Sequence, residues 1–318
     1  MYDSFPHLFL KALRRKVYPF FFKSSLSVVP DSEQDLQKSN DIIFNTLSAS
    51  KPCMIGRFGA VEMSVIANYL AVKRDDRSII SYIQGKNWEW WWNKRSIEQL
   101  KQCAGVWPAS IQTAMRFSER QIEDSKEIDI LGSWLPGEFY LNDNLNHAQK
   151  VQLFNLEPFF AERPWTRVLK GKTVLVIHPF AETIVKQYLH RAFLFDNPEI
   201  LPDFNLLTYK AVQSIGGGEG FRDWFEALEF MEKEIELIDF DIAIIGCGAY
   251  GLSLAAYIKR MGKKAVHLGG VTQLLFGIKG KRWDVKEKYN NLYNDYWCRP
   301  DIKEKPFTAN KVEGGCYW

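Results

Sequence analysis

The sequence predicts an α/β fold of the Rossmann-like kind, a mostly parallel sheet of about six strands with helices on both faces. Three observations predict it. Short apolar runs of strand length, such as residues 172–177 and 241–245, alternate with longer stretches of helical periodicity. The clearest of the latter, residues 221–238, sets Phe221, Trp224, Phe225, Leu228, Met231, Ile235 and Ile238 in one apolar stripe. Asp223, Glu226, Glu229 and Glu236 face away from it as a solvated side. Finally, residues 239–270 read as strand, glycine turn, helix and strand. The turn carries Gly246, Gly248, Tyr250 and Gly251, the helix packs through Ala255, Ala256 and Ile258, and Gly262 supplies the stop.

That G-x-G-x-x-G turn sets backbone N–H groups where they can face a phosphate. The same glycines would equally serve a tight turn and close helix–strand packing, so the motif by itself decides little. A nicotinamide dinucleotide would require an acid near the end of the following strand to hold a ribose hydroxyl. His267 occupies that neighbourhood, and the unit lies late in the chain, so it reads as a nucleotide or phosphate crevice and not as an NAD site.

At 318 residues the chain is long enough for one large α/β domain or two smaller ones, and 46% hydrophobic residues suffice for a sizeable core. A net charge of +3 is too small to argue for nucleic acid. Cys53, Cys103, Cys247, Cys298 and Cys316 form no C-x-x-C pair, and an odd count favours reduced thiols in a cytoplasmic protein. No run approaches the roughly 18–20 apolar residues of a membrane span. Nor does a secretory signal with a small-residue cleavage site stand at the start.

Residues 1–45 begin with an aromatic and basic segment, residues 5–23. On a helical wheel Phe9, Leu10, Leu13, Val17 and Phe20 share one side while Lys11, Arg14 and Arg15 lie off it, and Pro19 should disturb the helix before Phe20. Such a segment suits peripheral contact with anionic lipid at the inner face of the membrane. It suits equally a helix docked on the core or on a second copy in a homo-oligomer. Residues 31–38 read as a solvated helix start.

Residues 46–280 carry the predicted catalytic domain. A first core strand over residues 52–57 runs into Gly56, Arg57, Phe58, Gly59 and Glu62, after which Val61, Val65 and Tyr69 recur at helical spacing. Arg57 and Glu62 then lie near the carboxyl edge of a strand, where open α/β sheets hold their ligands. Arg can grip phosphate with a bidentate fork, whereas an acid in the first helical turn can be merely a dipole partner. The tryptophans at 88 and 90–92 fit a satellite core or subunit contact better than a sugar platform. A second strand is expected over 127–131, followed by a loop at 132–137 rich in Gly and Pro.

The strand at 172–177 leads to His178, Pro179 and Glu182, the last in the first turn of the next helix. A strand over 206–212 leads to Gln213, Ser214 and three glycines at 216–218 that suit a loop over a ligand or a plain connector. From residue 281 to 318 the chain turns aromatic, through Tyr289, Tyr293, Tyr296 and Trp297 to Tyr317 and Trp318, a tail expected to pack on the body.

In the order of its elements the chain resembles the GT-D type bacterial glycosyltransferases and the GT-D-like proteins of capsule and surface-polysaccharide gene clusters. The stretch Gly56-Arg57-Phe58-Gly59-Ala60-Val61-Glu62 is similar to their Arg-Phe-Gly-Asp-Gly-Glu signature. Residues 173–187 resemble their central strand and helix, and residues 240–270 their late βαβ unit. The resemblance implies transfer of a sugar from a nucleotide-sugar donor, UDP-linked or similar, to a carbohydrate or lipid-linked acceptor. It also implies Mn or Mg held against the diphosphate by an Asp-x-Glu, of which this chain keeps Glu62 but has Ala60 for the Asp.

Glu62 is the first nominee for the base that deprotonates the acceptor, and Glu182 the second. The expected binding residues are Gly56, Arg57, Phe58, Gly59, His178, Gln213, Ser214, Gly246, Gly248, Tyr250, Gly251 and His267. Two rival functions stand beside this one: a Rossmann oxidoreductase or epimerase, and a non-catalytic nucleotide-sugar-binding or scaffold protein, for which Ala60 speaks.

Overall fold

A computed structural model of the chain describes residues 2–21, 30–75, 77–214, 220–307, 309 and 314–318. The three glycines at 216–218 and residues 22 and 23 of the N-terminal segment lie outside the described residues. Seven strands make one sheet: β1 (Cys53–Gly56), β2 (Ile130–Ser133), β3 (Gln149–Gln152), β4 (Thr173–His178), β5 (Asn205–Lys210), β6 (Ile242–Ile245) and β7 (Lys264–His267). Their order is β3-β2-β1-β7-β6-β4-β5, and every pairing is parallel.

The central strands are covered on both faces, which is why they read as continuous apolar runs. Alternate residues divide between two cores. Met54, Leu131, Leu175, Ile177, Ala243, Ile245 and Ala265 face one, and Ile55, Ile130, Val174, Val176, Ile242, Ile244 and Val266 face the other.

The seventh strand, one more than the sequence predicts, is β3. Only Val151 of its four residues is buried, so it carries no apolar run. Its place comes from pairing with β2 in the register Ile130↔Gln149 and from a bridge between Glu33 and Val151. Strand β2 also starts later than expected and takes in Gly132 and Ser133. Asp129 just before it closes the ladder with its side chain, accepting the Met54 N–H at 2.8 Å.

The helices divide between the two faces. Over the first core lie α3 (Ala60–Lys73), α4 (Lys94–Ala104), α5 (Ile111–Ser125), α7 (Trp224–Glu236) and α8 (Tyr250–Arg260). Over the second lie α2 (Leu36–Ser48), α6 (Ala181–Tyr188) and the short helix Thr272–Leu275, with Trp283, Tyr289, Trp297 and Trp318 filling the same core. The chain therefore leaves β1 and β6 towards one face, and β4 and β7 towards the other. The loops diverge where β1 meets β7 and where β6 meets β4, which opens a crevice at the carboxyl ends of these four strands.

The N-terminal helix α1 (Phe5–Ala12) does not break at Pro19. It widens into a π-helical turn, Leu13–Val17, and continues as the helix Tyr18–Phe21. The wide turn accommodates a ring that would otherwise press on the carbonyl one turn back. It also resets the phase of the side chains. Leu10 and Leu13 are half-buried, while Phe9, Val17 and Phe20 point outward, so the single stripe expected from an ideal wheel is split.

Trp165 is completely buried and joins three segments of the second core. Its backbone N–H donates to Asn40 Oδ1 at 3.0 Å and its indole N–H to the Leu156 carbonyl at 2.8 Å. Trp165→Ala should lower unfolding stability by about 3–5 kcal/mol, read as a fall in the urea midpoint at constant m. A loss below about 1 kcal/mol would mean that this core collapses around the gap.

Candidate functional site

The crevice holds a cavity of about 470 Å³. Each of the four diverging strands sends its following residues into the lining: Arg57 after β1, His267 to Gly270 at β7, Gly246 and Gly248 after β6, and His178 to Phe180 at β4. Trp134, Phe154, Trp283, Tyr289, Tyr317 and Trp318 make aromatic walls. The charged lining groups are Arg57, Arg282 and Lys286 against Glu62 and Glu157.

Arg57 is the deepest cation of the site. Its Nε is buried without a hydrogen-bond partner, and its guanidinium lies 5.6 Å from the ring of Trp134. Gly269, at φ +71, leaves room for it, since a Cβ there would stand 2.9 Å from Nη1. Burial is the largest influence on the guanidinium and pulls its pKa down, and the charges of Glu62 and Tyr317 work in the other direction.

Trp134 is held by hydrogen bonds. Its indole N–H donates to the Phe58 carbonyl at 3.1 Å. The fully buried Glu138 accepts from the Ser133 hydroxyl and from the backbone N–H groups of Trp134, at 3.0 Å, and Leu135, at 2.9 Å.

Glu62 sits at the third position of α3, whose N-cap is Gly59. Its carboxylate folds back over the Gly59 α-carbon, where a Cβ would collide with it. Burial raises its pKa, while its own backbone N–H and Arg57 pull the other way. Among the described residues Arg57 and Glu62 form no direct ion pair, although each influences the other's charge.

His178 closes β4. Its Nδ1 accepts the Phe180 N–H at 3.0 Å, which in the neutral ring puts the proton on Nε2. Gly246 lets this ring approach, because a Cβ would meet His178 Cδ2 at 2.7 Å and Thr272 Oγ1 at 2.6 Å. His267 ends β7 with its Nδ1 unpartnered. Burial holds both imidazoles at about 3, and the positive charge of Arg57 adds to the effect at His267.

The structure thus brings together Arg57, Gly59, Glu62, His178, Gln213, Gly246, Gly248 and His267. The remaining nominees lie elsewhere. Glu182 is exposed and pairs with Lys210 at 3.3 Å, because α6 starts on the second face and turns this position outward. The buried Glu304 takes the N–H groups of Glu182, at 2.8 Å, and Thr183, at 3.2 Å.

Gly251 serves packing, since a Cβ there would strike the His267 ring. Gly56 lies within β1 against Met54 and Leu252, and Phe58 is core. Ser214 donates to the Gly105 carbonyl at 2.7 Å and accepts from the Tyr250 hydroxyl at 3.0 Å, while Tyr250 stacks on Trp224 at 5.1 Å.

Sequence reasoning missed Trp134, Arg282, Lys286 and the role of Glu138. Only Glu138 had a local signal, an acid at capping distance behind a loop. The others reach the cavity through tertiary packing.

The chain matches no known family model and no curated protein. One solved structure that it resembles is described as a selenomethionine-substituted domain of unknown function 1792. The two are 14% identical over 76% of this chain and 79% of the other, with a TM-score of 0.32. A likeness of this degree says nothing about chemistry.

Histidines held at about 3 when folded and near 6.5 when unfolded make the unfolded chain the stronger proton binder between those values. The stability they contribute is complete above pH 6.5 and is lost on acidification towards 3, by about 2 kcal/mol per histidine down to pH 5. Glu62, raised by burial, acts in the opposite sense, so the informative quantity is the difference between variant and parent. Urea unfolding of His178→Gln should decline less steeply than the parent between pH 7 and 5. An identical decline would show that His178 is not a source of the acid sensitivity.

Proposed function

We propose that this chain is a glycosyltransferase that moves a sugar from a nucleotide-sugar donor to a hydroxyl of a carbohydrate or lipid-linked acceptor, in the assembly of a cell-surface polysaccharide. The observation that carries the reading is Arg57, a half-buried cation at a strand end with an unpartnered Nε, lining a cavity of ligand size. An enclosed guanidinium calls for an anion, and a diphosphate supplies one in bidentate geometry. The amino end of α8 behind Gly246 and Gly248 adds partial positive charge from the same side. The aromatic walls suit the flat faces of a base and a sugar. The likeness of residues 56–62 to the GT-D signature supports the same choice.

In this reading the acceptor O–H gives its proton to the Glu62 carboxylate. The oxygen bonds to the anomeric carbon as the bond from that carbon to the diphosphate oxygen breaks. Arg57 and the α8 terminus stabilise the charge that develops on the leaving group. A carboxyl raised by burial is better matched to proton abstraction near neutrality than an exposed one.

The donor set does not fit a protein-held divalent ion. Ala60 offers no ligand, Glu62 is folded onto its own helix, and among the described residues no group of three or more His, Cys, Asp or Glu could hold a metal. We therefore assign the charge neutralisation to Arg57. Ala60 also favours a second reading, a binding protein that holds the nucleotide sugar without turning it over.

Thermal shift with a panel of nucleoside diphosphates and nucleotide sugars, with and without Mn, tests the site. Stabilisation by one nucleotide class, undiminished without Mn and weakened about tenfold or more in apparent Kd by Arg57→Ala, is the expected result. With the donor known, Glu62→Gln should lower kcat about 10²–10⁴-fold with little change in KM. Binding without any turnover selects the second reading, and a shift with NAD(H) alone would overturn both.

A further inference from the structure

Among the described residues, the helical segment from Phe5 to Phe21 is fastened to the body through His7, Lys11 and Arg14. His7 stacks on Trp91 with ring centroids 4.1 Å apart, and Asp3 accepts the Trp91 indole N–H at 2.6 Å. Lys11 pairs with Asp3 at 2.6 Å. Arg14 donates to the Asn87 carbonyl at 2.9 Å and lies 4.7 Å over the Tyr82 ring. These contacts orient the helix, and several of its aromatic side chains are exposed. Phe5 is 84% exposed, Phe9 60%, Phe20 83% and Phe21 68%, with Leu8 and Val17 also exposed. Ile79 and Ile80 are also exposed, on the short helix Ile79–Ile83 that packs beside α1.

We propose that this surface is a docking face for an anionic lipid bilayer, on which the chain lies without spanning it. The charge pattern selects the occupant. Residues 5–21 carry Lys11, Arg14, Arg15 and Lys16 and no acid, and Arg15 and Lys16 are exposed beside the aromatic rings. A second copy meeting this face about a twofold axis would bring like charges together, whereas an anionic headgroup layer attracts them. Phenylalanines flanked by Arg and Lys on a helix lying flat are the composition of an interfacial helix. Among the described residues no helix is long and apolar enough to cross a membrane. The inference is independent of the transferase reading, since none of these residues lines the cavity.

Co-sedimentation of the full chain with vesicles tests it. Vesicles of phosphatidylcholine with 30 mol% phosphatidylglycerol, roughly the anionic content at which a few basic residues matter, should retain the protein, and neutral phosphatidylcholine much less. Phe9→Glu with Phe20→Glu should abolish retention at an unchanged melting temperature. Arg15→Gln with Lys16→Gln should weaken it about thirtyfold, from ~1 kcal/mol per surface charge. Three outcomes overturn the proposal: no retention at low salt, retention that the Phe9/Phe20 variant keeps, and a dimer in light scattering that the same variant dissolves while vesicles capture neither form.

Discussion

Enclosing a guanidinium at the end of a strand is the constraint on which the site depends. Arg57 is half-buried with its Nε shut off from solvent, and a charge so placed is costly unless something of opposite sign or suitable polarisability stands beside it. Glu62 supplies charge without direct contact, Trp134 supplies a π face, and Gly269 supplies the space. None of these satisfies Nε. A cation that lines the cavity and keeps a hydrogen-bonding group without a partner is suited to an anion that arrives there. The protein has already met the desolvation cost when it folds.

The surroundings follow from that placement. Trp134 can face Arg57 only because Glu138 gathers three donors and clamps the loop after β2. His178 can stand at the end of β4 only because Gly246 has no side chain to displace it. Tyr317, from the end of the chain, rests against Gly270 and receives a hydrogen bond from Arg282 at 3.0 Å, so the aromatic tail forms a wall of the crevice. The sheet is packed on both faces, and the functional groups sit at its strand ends, on the turns and helix starts that follow them, and in the aromatic tail.

The legible part of this design was local. Runs such as Ile242–Ile245 and stripes such as that of α7 state their secondary structure in their own spacing, and glycines at 56, 59 and 246 mark strand ends. Arg57 and His178 could be nominated because each stands at the end of a strand, and Glu62 because it lies in the first turn of the helix that follows one, and parallel sheets direct such residues to one edge. Glu182 has the same local grammar and lies outside the cavity, because strand-end position does not say which face the next helix takes. Strand β3 was illegible for a related reason: three of its four residues are polar, and its pairing with β2 makes it a strand.

The sequence by itself determined the α/β class, six of the seven strands, the helical stripes and the shortlist from which the site is drawn. Periodicity and turn chemistry act between near neighbours, so they are written in the order of residues. Tertiary structure alone decided which members of the shortlist meet, that Trp134, Arg282 and Lys286 join them, and that the N-terminal helix turns its aromatic side outward. Those outcomes depend on strand order and on the faces to which crossovers run. Both are set by how distant segments share two cores, a many-body packing choice that no short window of sequence contains.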